Sequence, residues 1–181
     1  MSNVGSSEEY SLREPSLQRL GAFIRYRDSC IRHGNENWVG RHALANTDVA
    51  SWIESLHRRA RGEEIPEEWT PWVPETHFWI VANDEEIVGD IELRHPLTEV
   101  LRQMGGNIGY FMHPKHRRRG VASFALRSGL RILRDWGLDV ALLTCRDDNI
   151  ASIRTIEKAG GCSTRRFYNG RSYTAQVLDS A

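Results

Sequence analysis

The sequence predicts a single α+β domain that spans residues 1–181. Apolar residues recur at helical spacing before residue 62, and a strand-like period begins at His77. A strand–helix–strand–helix unit then precedes a terminal hairpin. A chain of 181 residues can bury one sizeable core, and its hydrophobic fraction of 40% is ordinary for a globular protein.

Two helices are predicted in the first third of the chain, after a loose arm over residues 1–10. The first spans Ser16–Ile31, and its apolar residues are Leu17, Leu20, Phe23, Ile24 and Ile31. The second begins at Thr47 or Asp48, which are good capping residues, and ends near Gly62. Its buried face is expected to contain Val49, Trp52, Ile53 and Leu56.

The segment from Glu63 to Pro74 is expected to be a loop, because it holds three prolines and four glutamates. Trp69 and Trp72 in this loop would pack it onto the body of the protein. Its acidic side chains either attract a cationic ligand or form a solvated face.

Strands and helices are predicted to follow each other over the rest of the chain. The strands are His77–Ala82, Ile87–Leu93, Gly105–Met112 and Val140–Cys145. A long helix spans Val121–Trp136, with Trp136 on its inner face, and a short helix after Asn149 has Ile150, Ile153 and Ile156 inward. The final hairpin pairs Arg165–Tyr168 with Arg171–Val177 around Asn169–Gly170.

Composition excludes several classes of protein. Lys+Arg and Asp+Glu number 24 each, so the chain lacks the basic excess of a dedicated nucleic-acid binder. No apolar run approaches the ~20 residues of a membrane-spanning helix, and the polar N-terminus does not resemble a signal peptide. The three cysteines are widely spaced, which predicts neither disulfides nor a zinc site and favours a cytoplasmic setting.

One basic loop indicates chemistry. The segment from Tyr110 to Ser123 combines a strand, a basic loop, Gly120 and the start of a helix. Unpaired backbone N–H groups and the positive end of the helix dipole make such a helix start an anion site that suits a pyrophosphate. The phosphate loop GxxxxGK[ST] is absent, and Gly105–Gly106 precede a strand instead of following one.

The loop contains the pattern R-x-x-G-x-A as Arg117, Gly120 and Ala122, and in this it resembles the coenzyme A loop of the GNAT superfamily of N-acetyltransferases. The resemblance runs in order from His77 to Gly161, and further segments are similar to a bacterial branch of that superfamily. It implies a three-layer α/β/α fold with a mixed, mostly antiparallel sheet of six to seven strands and about four helices. The fourth and fifth strands would splay apart.

The resemblance also implies a binding site for acetyl-CoA. Backbone groups of Phe111, Met112 and His113 would contact the pantetheine arm. The pyrophosphate would lie on the basic loop and helix start, formed by Arg117, Arg118, Arg119, Gly120, Val121, Ala122 and Ser123. Asn149, supported by Ser152, would bond the pantetheine or the thiol end, although Asn149 is equally suited to cap a helix.

The catalytic residues depart from the superfamily pattern. The usual tyrosine acid lies seven residues after the helix asparagine, where this chain has Ile156. The glutamate that some relatives use as a base is also missing. The remaining bases are Glu92, His95 and His113, of which Glu92 and His95 are favoured. The acid would then be Tyr168, Tyr173 or water. No metal is expected, because His113 and His116 lack a third ligand.

Three functions therefore compete. The first is transfer of an acetyl group to a primary amine of a small molecule or peptide by direct attack, in a protein that resembles enzymes often found as homodimers. The second is a non-catalytic acyl-CoA sensor, which the missing tyrosine and glutamate favour. The third is nucleic-acid binding by the loop from His116 to Arg119, which the neutral net charge disfavours.

Overall fold

The structure, a computed structural model, describes residues 8–35, 48–63, 73–167 and 170–176. The strands in this part of the chain are β1 (Tyr10–Arg13), β2 (Glu75–Ala82), β3 (Glu86–Arg94), β4 (Ile108–Met112), β5 (Val140–Arg146), β6 (Cys162–Phe167) and β7 (Gly170–Gln176). The α-helices are α1 (Leu20–Arg32), α2 (Val49–Ala60), α3 (Glu99–Met104), α4 (Val121–Asp135) and α5 (Ile150–Lys158). Short 3-10 turns cover Leu17–Arg19 and Pro114–His116.

The seven described strands form two antiparallel sheets. The first has the order β1-β2-β3-β4, and the second has the order β5-β7-β6. The predicted α+β class is therefore confirmed, but all strand pairs among the described residues are antiparallel, and the sheet is divided in two. The described helices number five, one more than expected, because α3 was not predicted.

Helices cover both faces of the first sheet, which gives the expected three layers. α4 and α5 close the larger core, which contains Ile91, Leu126, Leu143 and Ile156. α1 and α2 cover the opposite face, where the ring of Phe23 stacks on Trp79 at a centroid distance of 5.1 Å. Residues that alternate along β2 and β3 thus point either to α4 or to the pair α1 and α2.

A glycine in α4 sets how closely that helix approaches the first sheet. A Cβ at Gly129 would lie 2.8 Å from Cδ1 of Ile91 and 3.0 Å from Cδ2 of Leu93. Both distances are shorter than ordinary carbon contacts, so a larger side chain would push the helix away from β3. Gly129 therefore holds α4 against the strands that position its N-terminus.

The predicted helix starts are confirmed where a capping side chain was identified. Asp48 caps α2 by accepting hydrogen bonds from the N–H groups of Ala50 and Ser51, both at 3.2 Å. Two residues predicted to face inward, Trp136 and Ile150, are instead exposed, and so are Leu17 and Ile31 among the apolar residues of the first predicted helix; the exposed fractions are 40 to 54%. Each lies at or beyond the end of its helix, where the helix no longer lies over the sheet.

The strand predictions were wrong at several places, among them β6, which begins at Cys162 instead of Arg165. β1 was missed, and it begins at Tyr10, the last residue assigned to the loose arm. β4 begins at Ile108 instead of Gly105, because Gly106 has a φ of 76° and leaves the ladder. In the hairpin, Phe167 pairs with Gly170, so the connection is residues 168–169 and not 169–170.

The Trp-containing loop lies largely outside the described residues, as do Tyr168 and the predicted cap Thr47. Within the described ranges, no helix has both the length and the apolar composition needed to cross a membrane.

Candidate active site

Among the described residues, backbone contacts between the two sheets lie where the chain enters β4 and in the middle of β5. The N–H of Asn107 donates to the carbonyl of Leu142 at 2.7 Å, and its side-chain Oδ1 accepts from the N–H of Leu142 at 2.8 Å. An isolated bridge joins Gly106 to Leu143. No described backbone hydrogen bond joins the later parts of the two strands. The strands therefore separate beyond this junction, as the resemblance implied for the fourth and fifth strands.

The basic loop follows β4 and ends in a strongly bent backbone. Arg118 has a φ of 63°, and Gly120, the N-cap of α4, has a φ of 86°. No described residue accepts a hydrogen bond from the backbone N–H groups of this segment, which are those of Arg118, Arg119, Gly120, Val121, Ala122 and Ser123. Six consecutive donors at the positive end of a helix dipole form a site for an anion.

Residues near the N-terminus contact the outer side of the loop. Arg119 pairs with Glu8 at 3.0 Å, and the Tyr10 hydroxyl lies 3.5 Å from the Arg119 carbonyl. Burial and the bond to Glu8 raise the pKa of Tyr10 to about 12. The Tyr10 ring packs on Phe124 of α4 at a centroid distance of 5.8 Å. Tyr10 is thus a packed support of the loop.

Arg117 has a different position from the other two loop arginines. Its Nε donates to the carbonyl of Met112 at 3.2 Å, and its guanidinium lies 5.7 Å from the centroid of the Phe111 ring. The side chain therefore lies back along β4 instead of beside the unpaired N–H groups. Met112 is one of the residues expected to contact a pantetheine arm, so Arg117 occupies a carbonyl that this ligand would use.

The start of α5 lies across the gap between the sheets. Asn149 is the N-cap, and its Oδ1 accepts from the N–H of Ser152 at 3.2 Å. This confirms that Asn149 caps a helix, and its exposed amide NH₂ has no described partner. Ser152 is close enough to influence the pKa values of Tyr110 on β4 and Cys145 on β5.

Tyr110 is a candidate functional residue that the sequence analysis missed. Its hydroxyl is buried and has no hydrogen-bond partner in the described chain. Burial raises its pKa, and the nearby hydroxyls of Ser152 and Thr155 partly oppose that effect. A buried hydroxyl between β4 and the start of α5 is suited to donate a proton. The sequence signal that could have identified Tyr110 is its position in β4, two residues before Met112. A tyrosine in a strand belongs to no distinctive motif, so this signal is weak.

Glu92 belongs to a buried charged cluster on the α1 and α2 face of the first sheet. Glu75 accepts from His77 Nε2 and from Arg94 Nε, both at 2.6 Å, and Arg94 also pairs with Glu92. Burial acts to raise the pKa of Glu75, but the hydrogen bond and charge of His77 and the charge of Arg94 outweigh it and lower the pKa to about 2.

The cluster also has metal-like spacing. Donor atoms of Glu75, His77 and Glu92 all lie within 4.8 Å of one another. Arg94 already bonds both carboxylates, and its positive charge opposes a cation there. We therefore assign the cluster to charge pairing. Glu92 lies opposite Gly109 of β4, and any side chain at that glycine would collide with its carboxylate.

The other two candidate residues in the described ranges are less well placed. His95 directly follows β3 and is half-buried, and no described residue bonds its ring. Tyr173 is fully buried between β5 and β6, where burial raises its pKa and its hydroxyl has no described partner. Tyr168, the third candidate, lies outside the described residues.

The fold and the site define a class: an α+β protein with two separated sheets and an anion site at the helix start beside the gap. The sequence profile of the acetyltransferase (GNAT) family matches residues 46–161, which is more than half of the chain. The chain therefore belongs to the acetyltransferase (GNAT) family, as the basic loop indicated. A comparison of the sequence with curated proteins gives no significant match.

Solved structures share the fold at low sequence identity. The microcin C7 self-immunity acetyltransferase MccE, in complex with acetyl-CoA and AMP, is 16% identical with a TM-score of 0.62, covering 93% of this chain and 92% of MccE. Mycobacterium smegmatis RimJ, in complex with CoA-disulfide, is 19% identical with a TM-score of 0.63, covering 92% and 81%. The putative acetyltransferase yncA from Salmonella typhimurium, with its cofactor acetyl-CoA, is 14% identical with a TM-score of 0.58, covering 95% and 96%.

Proposed function

We propose that this protein is an acetyl-CoA-dependent N-acetyltransferase that acts on a primary amine of a small molecule or peptide. The observation that carries the proposal is the row of six unpaired N–H groups from Arg118 to Ser123, next to the gap between β4 and β5. Those donors suit a pyrophosphate, and the gap gives an extended pantetheine arm access to the edge of β4. Acetyl-CoA supplies the activated acetyl group when it is bound.

Glu92 is the base in this proposal. An alkylamine is mostly protonated at neutral pH, so a nearby carboxylate must accept its proton before attack. Glu92 lies on the α1 and α2 face, one strand away from β4, and Arg94 fixes its carboxylate. His95 lies at the end of the same strand, beyond the ladder, and is the second choice.

Tyr110 is the acid in this proposal, in place of the tyrosine that relatives have at the position of Ile156. Its hydroxyl lies near Ser152 at the start of α5, which is the same helix that carries Ile156. Its raised pKa keeps it protonated at neutral pH, so it can donate to a leaving thiolate. Tyr173, which is buried behind β5, is less suited to this role.

The similar structures support an amine acceptor but not its identity. One similar protein, RimL, is a ribosomal L7/L12 alpha-N-protein acetyltransferase, and MccE is a self-immunity acetyltransferase. The first of these names a protein amine as its acceptor, and the second names no acceptor. A cytoplasmic location and a homodimer stay predictions, and gel filtration against mass standards tests the second.

Calorimetric titration with acetyl-CoA tests the cofactor. The native chain should bind, and the double variant Arg119→Glu, Gly120→Asp should lose affinity by about a hundredfold, because two carboxylates then face the pyrophosphate. Arg131→Glu, an exposed change elsewhere on α4, is the matched control and should bind like the native chain. A folded native chain that does not bind acetyl-CoA would contradict the proposal.

Turnover separates the enzyme from the sensor. Release of the coenzyme A thiol in the presence of an amine panel should exceed release without amine. Tight binding without amine-dependent release on any amine would favour the acyl-CoA sensor, which the isoleucine at position 156 also favours.

A further inference from the structure

A cleft of about 560 Å³ lies between α1 and the end of β4, next to the turn that joins β2 and β3. Its walls include Arg25, Ser29, Arg32, Glu86, His113 and Lys115. The N–H of His113 donates to the carbonyl of Val88 at 2.9 Å, so pairing with β3 continues past Met112. The cleft therefore opens at the end of β4, beside the first sheet.

His113 lines this cleft, and its ring packs among those of Tyr26, His33 and His116. The residue is only 3% exposed, and its Nδ1 accepts from the N–H of Lys115 at 3.2 Å. In the neutral ring Nε2 then carries the proton, and Nε2 has no described partner. Burial, with the charges of His116, His33 and Lys115, lowers the pKa of His113 and favours the neutral form. A buried N–H without an acceptor is costly, and a bound oxygen anion would satisfy it.

The charges around the cleft favour an anion. Arg25, Arg32 and Lys115 form no ion pair with the described residues. Of the three acidic groups, Asp28 is paired with Arg27 at 2.8 Å, and Glu86 lies 3.3 Å from His116 Nε2, which neutralises it only when the imidazole is protonated. Arg25, Arg32 and Lys115 then face the carboxylates of Glu85 and Glu86, so the balance of charge is still positive.

The cleft also lies on the face from which an acceptor can approach. Alternate residues of β4 point to α1, and Phe111 packs there, whereas Tyr110 packs against the opposite core. Glu92 lies on the α1 and α2 face as well. Glu92 pairs with Gly109, four residues before His113, so an acceptor with one end in the cleft and its amine beside Glu92 spans about 13 Å at 3.3 Å per residue.

We propose that the cleft binds the anionic group of the acceptor, a carboxylate or a phosphate, and that the substrate is an elongated amine with such a group at its other end. This inference rests on the proposed function. His113 Nε2 donates to the anion, and Arg32 and Lys115 supply charge-assisted bonds. A plain alkylamine or a polyamine lacks the group that the cleft recognises.

Histidine side-chain NMR on the coenzyme A-saturated protein tests the site directly. The probes are 2-aminoethyl phosphate and 4-aminobutyrate, with ethanolamine and 1,4-diaminobutane as matched amines without an anion. We expect a saturable shift of the His113 Nε2 signal with at least one anionic probe and none with the matched amines. The two anionic probes distinguish a phosphate site from a carboxylate site.

Variants assign the binding to the cleft. Arg32→Gln and Lys115→Gln should each weaken binding of the active probe about tenfold, because each removes one charge-assisted bond. The His113→Phe variant should weaken it while leaving the melting temperature close to that of the native chain. Arg131→Gln removes an exposed charge outside the cleft and should leave binding unchanged.

The outcomes separate this inference from the proposed function. Equal shifts with anionic and neutral probes, or no shift with any probe, would overturn the anion site even if acetyl-CoA binds and amines are acetylated. Selective binding of an anionic probe by a protein that does not bind acetyl-CoA would retain the site and refute the enzyme, and the same titration without coenzyme A detects that case.

Discussion

The Nε of Arg117 donates to the carbonyl oxygen of Met112 at 3.2 Å, so a residue of the basic loop caps the end of the strand that precedes it. The backbone between them includes the turn Pro114–His116. The R-x-x-G-x-A pattern therefore contains arginines in two different environments. Arg117 lies on Phe111, and Arg118 lies next to the unpaired N–H groups of the helix start.

This difference predicts unequal effects of two neighbouring substitutions. Arg118→Gln should weaken acetyl-CoA binding about tenfold, because a charged partner of the pyrophosphate is lost. Arg117→Gln should change the affinity by less than about threefold, because its guanidinium points away from the anion site. Calorimetry on both variants measures the difference, and a larger loss in Arg117→Gln would show that this arginine turns toward the ligand.

Glu92→Gln should lower kcat by about a hundredfold or more, because the amide cannot accept a proton from the amine. The affinity for acetyl-CoA should stay close to that of the native chain, since Glu92 pairs with Gly109 near the start of β4, whereas the coenzyme loop follows the end of that strand. If Glu92→Gln keeps the native rate while His95→Gln loses it, His95 is the base.

Tyr110→Phe should lower kcat by about a hundredfold, because a general acid is removed and only a hydroxyl is lost. Stability should hold or rise slightly, since the Tyr110 hydroxyl is buried without a described partner. Steady-state kinetics and thermal melting measure the two effects. Tyr173→Phe is the matched control. If Tyr173→Phe loses activity and Tyr110→Phe does not, Tyr173 of β7 is the acid.

Stability should fall as the pH decreases from about 4.5 toward about 2. The pKa of Glu75 is lowered from 4.5 to about 2 in the folded protein, so its contribution is present above the unfolded value and is lost as the pH falls through the folded one. A shift of that size corresponds to about 3 kcal/mol. Glu75→Gln should remove this pH dependence and also destabilise the protein at neutral pH, because Arg94 loses a buried partner.

Urea unfolding from pH 7 down to pH 3 measures this dependence. Glu99→Gln is the matched control, because it removes a carboxylate at an exposed position in α3. This variant should follow the native curve. If the free energy of unfolding depends on pH in the same way in the native chain and in Glu75→Gln, the ionised Glu75 does not contribute this stability.

Gly129→Val should destabilise the protein by about 2 kcal/mol, because the added side chain overlaps Ile91 and Leu93 in a packed core. Urea unfolding measures the loss. Arg127→Val, on the exposed side of the same helix, introduces the same residue without the overlap and should cost much less. Equal effects of the two substitutions would show that helix propensity, and not packing, decides the outcome.

The sequence predicted those features that depend on interactions within a few residues of chain. The cap Asp48, the apolar face of α4 and the glycine before that helix follow from hydrogen bonding, periodicity and backbone geometry within a few residues. The strand Tyr10–Arg13 was missed because it forms only by pairing with β2. Arg13, for example, pairs with Trp79, which lies nearly seventy residues later in the chain. The exposed Trp136 was misplaced because periodicity does not show where a helix runs past its sheet.

The candidate site was predictable in part for the same reason. The coenzyme loop is contiguous in sequence, and Gly120 identifies it. The cluster of Glu75, His77, Glu92 and Arg94 depends on the register of β2 against β3, which no local pattern specifies. The cleft beside His113 requires the path of α1 over β4, and its chemistry became visible only with that tertiary contact.

The contact between Asn107 and Leu142 lies on a boundary between the two sheets. One sheet is built from residues before 113 and the other from residues after 139, so each forms largely from its own stretch of chain. Hydrogen exchange should therefore report two cooperative units, in which the amides of β6 and β7 exchange together and separately from those of β2 and β3. A ligand that spans the gap would stabilise both units together and slow exchange in both. The coenzyme would therefore couple the stabilities of the two sheets.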